Sequence, residues 1–133
     1  ELKRTAPQNL VEYSHQQMSD ILSTISGVDF VMLCSSDGFE LTAVYKRHRA
    51  NLSKLAAVSS SILAMVQAFL NEIDLYNCQT ITLDAVNGKA ILTAVPHRQY
   101  PMVIVALSSK DVLLGQLLYF MKKASESVQH FNS

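Results

Sequence analysis

The sequence predicts one α/β domain of the α+β kind, in the order α-β-β-α-β-β-β-α. Three observations carry this. Apolar residues recur at helical spacing near both ends and through 51–74. Five short β-rich segments lie between those helices. Short turns join the strands within each run, which makes the pairs antiparallel. A five-stranded antiparallel sheet with helices on both faces buries these patterns. At 133 residues the chain is long enough for one real core, and 1–133 reads as a single domain with 1–8 as a flexible N-terminal segment.

The elements follow in order. Thr5-Ala-Pro-Gln8 resembles a helix start, with a hydroxyl cap, a Pro in the first turn and a Gln three residues after the Thr. Val11, Met18, Leu22 and Ile25 then mark an amphipathic helix, and Gly27 suits a left-handed stop. Val28–Ser35 is almost wholly apolar, as a central strand is. Ser36-Asp37-Gly38 supplies turn chemistry, and 39–45 alternates as a half-exposed strand. A basic loop, Lys46-Arg47-His48-Arg49, leads to a helix over 51–74 that Asn51 or Ser53 caps. Thr80–Ala85 alternates, Asn87-Gly88 signals a type I′ hairpin, and 89–95 returns. The loop 96–101 precedes an apolar strand over 102–107. Ser108 or Ser109 is expected to cap the last helix, with Asp111 in its first turn. Leu114, Leu117, Leu118, Met121 and Val128 form that helix's buried face, with Lys122 and Lys123 outside. Gly115 inside it implies a closely packed neighbour, since Gly weakens a helix.

The helix over 51–74 is the most informative stretch. No charge lies between Lys54 and Glu72, and no Gly or Pro interrupts it. Leu55, Ile62, Val66, Phe69 and Ile73 are assigned to the face that packs on the domain's own sheet. Ala57, Ser61, Ala64 and Ala68 form a second, small-residue stripe. A helix with little polar surface is buried on more than one side, so a second copy is expected against the stripe. Ser59, Ser60, Ser61, Gln67 and Asn71 argue against a membrane span. Charged residues make up only 17% of the chain, which also points to hidden surface.

Composition excludes several function classes. The formal net charge is zero, so nothing draws the chain to nucleic acid. Glu1–Asn9 is polar and unlike a signal peptide, and a cytoplasmic location is expected; the start at Glu1 rather than Met leaves room for preceding residues. Cys34 and Cys78 lack ligand spacing and read as reduced core thiols. No phosphate-binding loop, HExxH or CxxC occurs. His15, His48, His97 and His130 are scattered among separate elements and suit solvated or capping roles. Asp29, Asp37, Glu40 and Asp84 sit on strands or turns, with nothing to specify an acid/base pair. Asn51-Leu-Ser53 matches a glycosylation acceptor but reads better as a cap. No catalytic, cofactor or metal residue is therefore assigned. The basic loop 46–49 and Arg98 read first as solvated positions. Arg47, Arg49, Lys54 and Arg98 are the candidate contacts to an acidic partner.

The segment GVDFVMLCSSDGFELTAVY (27–45) resembles the opening hairpin of the roadblock / dynein light chain family. LSKLAAVSSSILAMVQAFL (52–70) is similar to its Ala/Ser-rich central helix. MVIVALSSKDVLLGQLLYFMKKA (102–124) resembles its last strand and final helix, including Leu114-Gly115. With the Asn87-Gly88 hairpin, the likeness covers nearly all of 9–131. It implies a profilin-like sheet with the middle helix on one face and the terminal helices on the other. It implies a homodimer joined through the middle helix and an edge strand, which adds Thr80 and Thr82 to the expected interface. It further implies a non-enzymatic protein that binds a Ras-like small GTPase as regulator or scaffold, as bacterial members do in motility or signalling. The longer first helix and the 46–49 loop depart from minimal members. Two other readings stand beside it. One is a structural adaptor that binds without regard to nucleotide. The other is a small-molecule sensor or enzyme, which needs a closed pocket with convergent polar groups.

Overall fold

The structure, a computed structural model, describes residues 6–47 and 51–131. Its elements are α1 (Gln8–Thr24), β1 (Val28–Ser35), β2 (Glu40–Tyr45), α2 (Leu52–Glu72), β3 (Thr80–Ala85), β4 (Gly88–Val95), β5 (Met102–Ser108) and α3 (Leu114–Gln129). The strands form one sheet in the order β2-β1-β5-β4-β3, and every neighbouring pair is antiparallel. The expected order and sheet are thus present.

Strand alternation sorts the core into two layers. Val28, Val31, Leu33, Ile91, Ile104 and Ala106 pack under α1 and α3. Phe30, Met32, Cys34, Leu92, Val103 and Val105 pack under α2. β1 and β5 are covered on both faces, which is why their sequences are almost continuously apolar. Among the described residues β3 pairs on one side only, and it stays largely exposed.

Local chemistry sets the joints. Gly27 and Gly38 take φ of 96° and 100°, the left-handed region that a side chain disfavours. At the β1–β2 turn the Ser35 hydroxyl donates to Asp37 Oδ1 at 2.6 Å, and the Phe39 N–H donates to Ser35 Oγ at 3.0 Å. Asn51 caps α2 by accepting from the Lys54 N–H at 3.0 Å. The segment after α2 turns through Asp74 and Asn77, at φ 61° and 62°; Asx residues tolerate this conformation best among non-glycines.

Several expectations need correction. Pro7 occupies the N-cap of α1 with no side-chain cap, and Thr5 lies outside the described residues, as does most of segment 1–8. The β3–β4 turn is Val86–Asn87, one residue earlier than expected, because Ala85 pairs with Gly88. Neither turn residue has positive φ, so it is not type I′. Gly88 matters for another reason: a Cβ there would lie 2.7 Å from the Ser108 carbonyl oxygen. Ser108 does not cap α3 but ends β5, paired with Val28 and Lys89. Ser109 begins a loop held by its N–H to the Gly27 carbonyl at 2.8 Å. α3 therefore starts at Leu114 with no side-chain cap, and Asp111 precedes it. Gly115 meets nothing within 4 Å. The expected close neighbour there is absent among the described residues.

Candidate functional site

Among the described residues the groups that could carry chemistry do not converge. Cys34 is fully buried, and burial pushes its thiol up to about 12. A thiol held protonated is a poor nucleophile. Cys78 is also free and buried, as expected of reduced core thiols. His15 is exposed beside Thr42, with Nδ1 2.8 Å from the hydroxyl. His97 has a structural role. Its Nδ1 accepts the N–H groups of Gln99 and Tyr100, each at 3.2 Å, and Nε2 lies 3.2 Å from the Phe131 carbonyl. It ties the β4–β5 loop to the end of α3, where Phe131 stacks on Tyr13 of α1 at 4.5 Å. His130 is exposed, and His48 lies outside the described residues. Among the described residues no three His, Cys, Asp or Glu side chains come together as a metal site.

The candidate basic contacts are dispersed. Arg47 follows β2 and pairs with Asp29 of β1 at 3.1 Å, leaving its own side chain largely exposed. Arg98 is exposed between β4 and β5, near Met102 at the start of β5, which pairs with Ser35 of β1 and Val95 of β4. Arg47 and Arg98 therefore mark opposite ends of the sheet, about 25 Å apart for eight residues at roughly 3.3 Å each. Lys54 is exposed in the first turn of α2, and Arg49 lies outside the described residues. At the β3–β4 edge, Lys89 Nζ sits 2.7 Å from Asp84 Oδ1. That hydrogen bond and charge hold Asp84 below the usual carboxylate range.

The distinctive surface is the outer face of α2. Its inner ridge is Ala56, Ser59 and Leu63, with Leu52, Leu55, Ile62, Val66 and Leu70 partly buried alongside. This ridge turns Phe69 and Ile73 outward, contrary to the assignment made from apolar spacing. Met65 is 70% exposed and Phe69 63%, and Val58 and Ile73 are also open. Val58, Met65 and Phe69 recur at seven and four residues, so they form one stripe. Ala57, Ser61, Ala64 and Ala68 are exposed next to it. The sequence held a usable signal: small residues at 56 and 59, with Leu63, define a ridge as well as large ones do.

The sheet also has an open edge at β3 among the described residues. Leu83 of β3 pairs with Ala90, which packs with the α2 layer, so Leu83 shares that face and is exposed. Thr80 and Thr82 pair with Thr93 and Ile91 and belong to the opposite face; both are exposed. Among the described residues no strand pairs with the outer side of β3. Unpaired strand edges and exposed apolar helix faces are the kinds of surface that partner chains commonly cover. Among the described residues α2 is also the one helix long and apolar enough to cross a membrane, with 21 residues and mean hydropathy 1.4. Its inner ridge is seated on the sheet, so spanning would require leaving that core.

No protein-family model matches the sequence, and no curated protein matches it. Solved structures do. The gliding protein MglB from Thermus thermophilus superposes with a TM-score of 0.84 at 16% identity, covering 97% of this chain and 95% of that one. An MglB with tetrameric arrangement gives 0.85 at 16% identity, over 97% and 94% of the two chains. A Roadblock/LC7 domain from Streptomyces avermitilis gives 0.77 at 14% identity, over 86% and 92%. The chain has the roadblock fold. The roadblock arrangement places α2 alone on one face, with α1 and α3 on the other, as the sequence resemblance implied.

Proposed function

We propose that this chain is a homodimeric, non-enzymatic regulator that acts in the cytoplasm by binding a Ras-like small GTPase. The observation that carries the proposal is the uncharged, exposed outer face of α2, in a domain whose sheet has an open β3 edge and whose reactive groups do not converge among the described residues. Two copies meet through Ala57, Ser61, Ala64 and Ala68, with Thr80 and Thr82 at the edge. The small side chains allow the helices close approach, and Met65 and Phe69 supply apolar area. The structural likeness to MglB, one of which is tetrameric, supports self-association of this fold.

The dimer acts on its GTPase by differential affinity. A surface that binds one nucleotide state better shifts the switch equilibrium by that difference alone. Faster hydrolysis then comes from positioning the switch segments rather than from a donated catalytic group. Lys54 flanks the α2 face and contacts the partner directly. A GTPase that touches both Arg47 and Arg98 spans the length of the sheet. The test is sedimentation with a Ras-like small GTPase from the same organism, loaded with GDP or a GTP analogue. A complex that favours one nucleotide is expected. Absence of a complex in both states overturns the proposal, and equal binding in both favours the adaptor reading.

A further inference from the structure

A cleft of about 580 Å³ opens at the end of the sheet where β3 begins and β4 ends, between α2 and α3. Ligand sites commonly span about 300–1,000 Å³. Leu63, Val95, Pro96, Pro101 and Met102 give it apolar walls. Gln67, Asn77, Gln79 and Gln129 bring four carboxamides to it. Thr93 also lines it, at 3% exposure, and its buried Oγ1 has no hydrogen-bond partner among the described residues. Folded proteins rarely leave a buried hydroxyl unpaired, because its lost hydration goes uncompensated.

The chemistry of the lining narrows the ligand. Lys122 and Glu126 contribute one charge of each sign, so the cleft does not select a net anion or cation. Each carboxamide both donates and accepts, and Asn and Gln pair in this way with the edge of a purine. We propose that the cleft binds an uncharged planar heterocycle of the nucleobase class, as the free base or nucleoside. Its apolar faces lie against the proline and aliphatic walls, its edge meets the carboxamides, and Thr93 gains the partner it lacks. The site is built within one chain and does not depend on the association proposed for α2; Thr80 is the shared residue.

The test is titration of the full chain with adenosine, followed by amide chemical shifts. Saturable shifts at Asn77, Gln79, Thr93 and Gln129 with Kd below about 1 mM are expected. Thr93→Val should weaken binding at least about fivefold while the melting temperature of the free protein holds or rises, because an unpaired hydroxyl is replaced by a methyl of similar shape. Should that variant fail to fold, Gln129→Leu on the cleft rim carries the same expected loss. No shifts up to about 5 mM, shifts confined to other surfaces, or variants that bind like the wild type would overturn the proposal.

Discussion

Phe69→Ala separates the two destinations open to the large residues of α2. Phe69 is 63% exposed. A Phe side chain offers roughly 200 Å², so about 120 Å² is open in the single chain. Covering that area is worth about 3 kcal/mol at roughly 25 cal/mol per Å². Truncation to Ala forfeits about two-thirds, near 2 kcal/mol per chain. A two-fold interface counts the loss twice, so the pair weakens by about 4 kcal/mol, or roughly a thousandfold in Kd. The isolated chain should lose under about 0.5 kcal/mol, since an exposed side chain leaves little cavity. Sedimentation across a dilution series reads the first quantity, and urea unfolding at a concentration where both proteins are monomeric reads the second. An unchanged dimer constant, or a monomer destabilised by about 2 kcal/mol or more, would refute the reasoning by returning Phe69 to the domain's own core.

Further expectations concern the core and the glycines. Cys34 ionises near 9 in the unfolded chain and at about 12 in the folded one. Its stabilising contribution is therefore complete below pH 9 and declines as pH rises from 9 to about 12, at up to about 1.4 kcal/mol per unit. Cys34→Ala should lack that increment of slope in urea titrations across this range, and an identical slope in both proteins would contradict the assignment. Gly88→Ala forces a Cβ to within 2.7 Å of the Ser108 carbonyl oxygen and should cost about 1–3 kcal/mol by urea unfolding. Gly115→Ala meets nothing within 4 Å and should gain up to about 1 kcal/mol in the same assay. Thermal melts that rank these two glycine variants in the opposite order would contradict the local packing described.

The order of elements was legible because each carries its own period, and because Gly27, Gly38 and Asn51 mark joints by chemistry that local sequence specifies. What escaped depends on longer range. Ser108 looks like a helix cap, but its pairing with Val28 and Lys89 keeps it in β5. Asn87-Gly88 looks like a type I′ turn, but the approach of β5 to Gly88 fixes the register one residue earlier. Apolar spacing places Phe69 and Ile73 inward because large residues usually mark the buried face. Ala56 and Ser59 mark it instead, together with Leu63. The small stripe on α2 was legible as a stripe. The neighbouring Val58, Met65 and Phe69 became visible as surface only once the inner ridge was fixed. The basic residues gave a cluster in sequence, yet the strand directions carry Arg47 and Arg98 to opposite ends of the sheet.

The central claim is that the outer face of α2 is covered by a second copy of this chain. The mass of the intact protein in solution, measured by sedimentation at micromolar concentration beside Ala64→Glu, tests it most directly. Twice the 14.7 kDa of one chain is predicted for the wild type, and a single 14.7 kDa species for the variant. A wild-type protein that stays at 14.7 kDa, or a variant that remains paired, would contradict it.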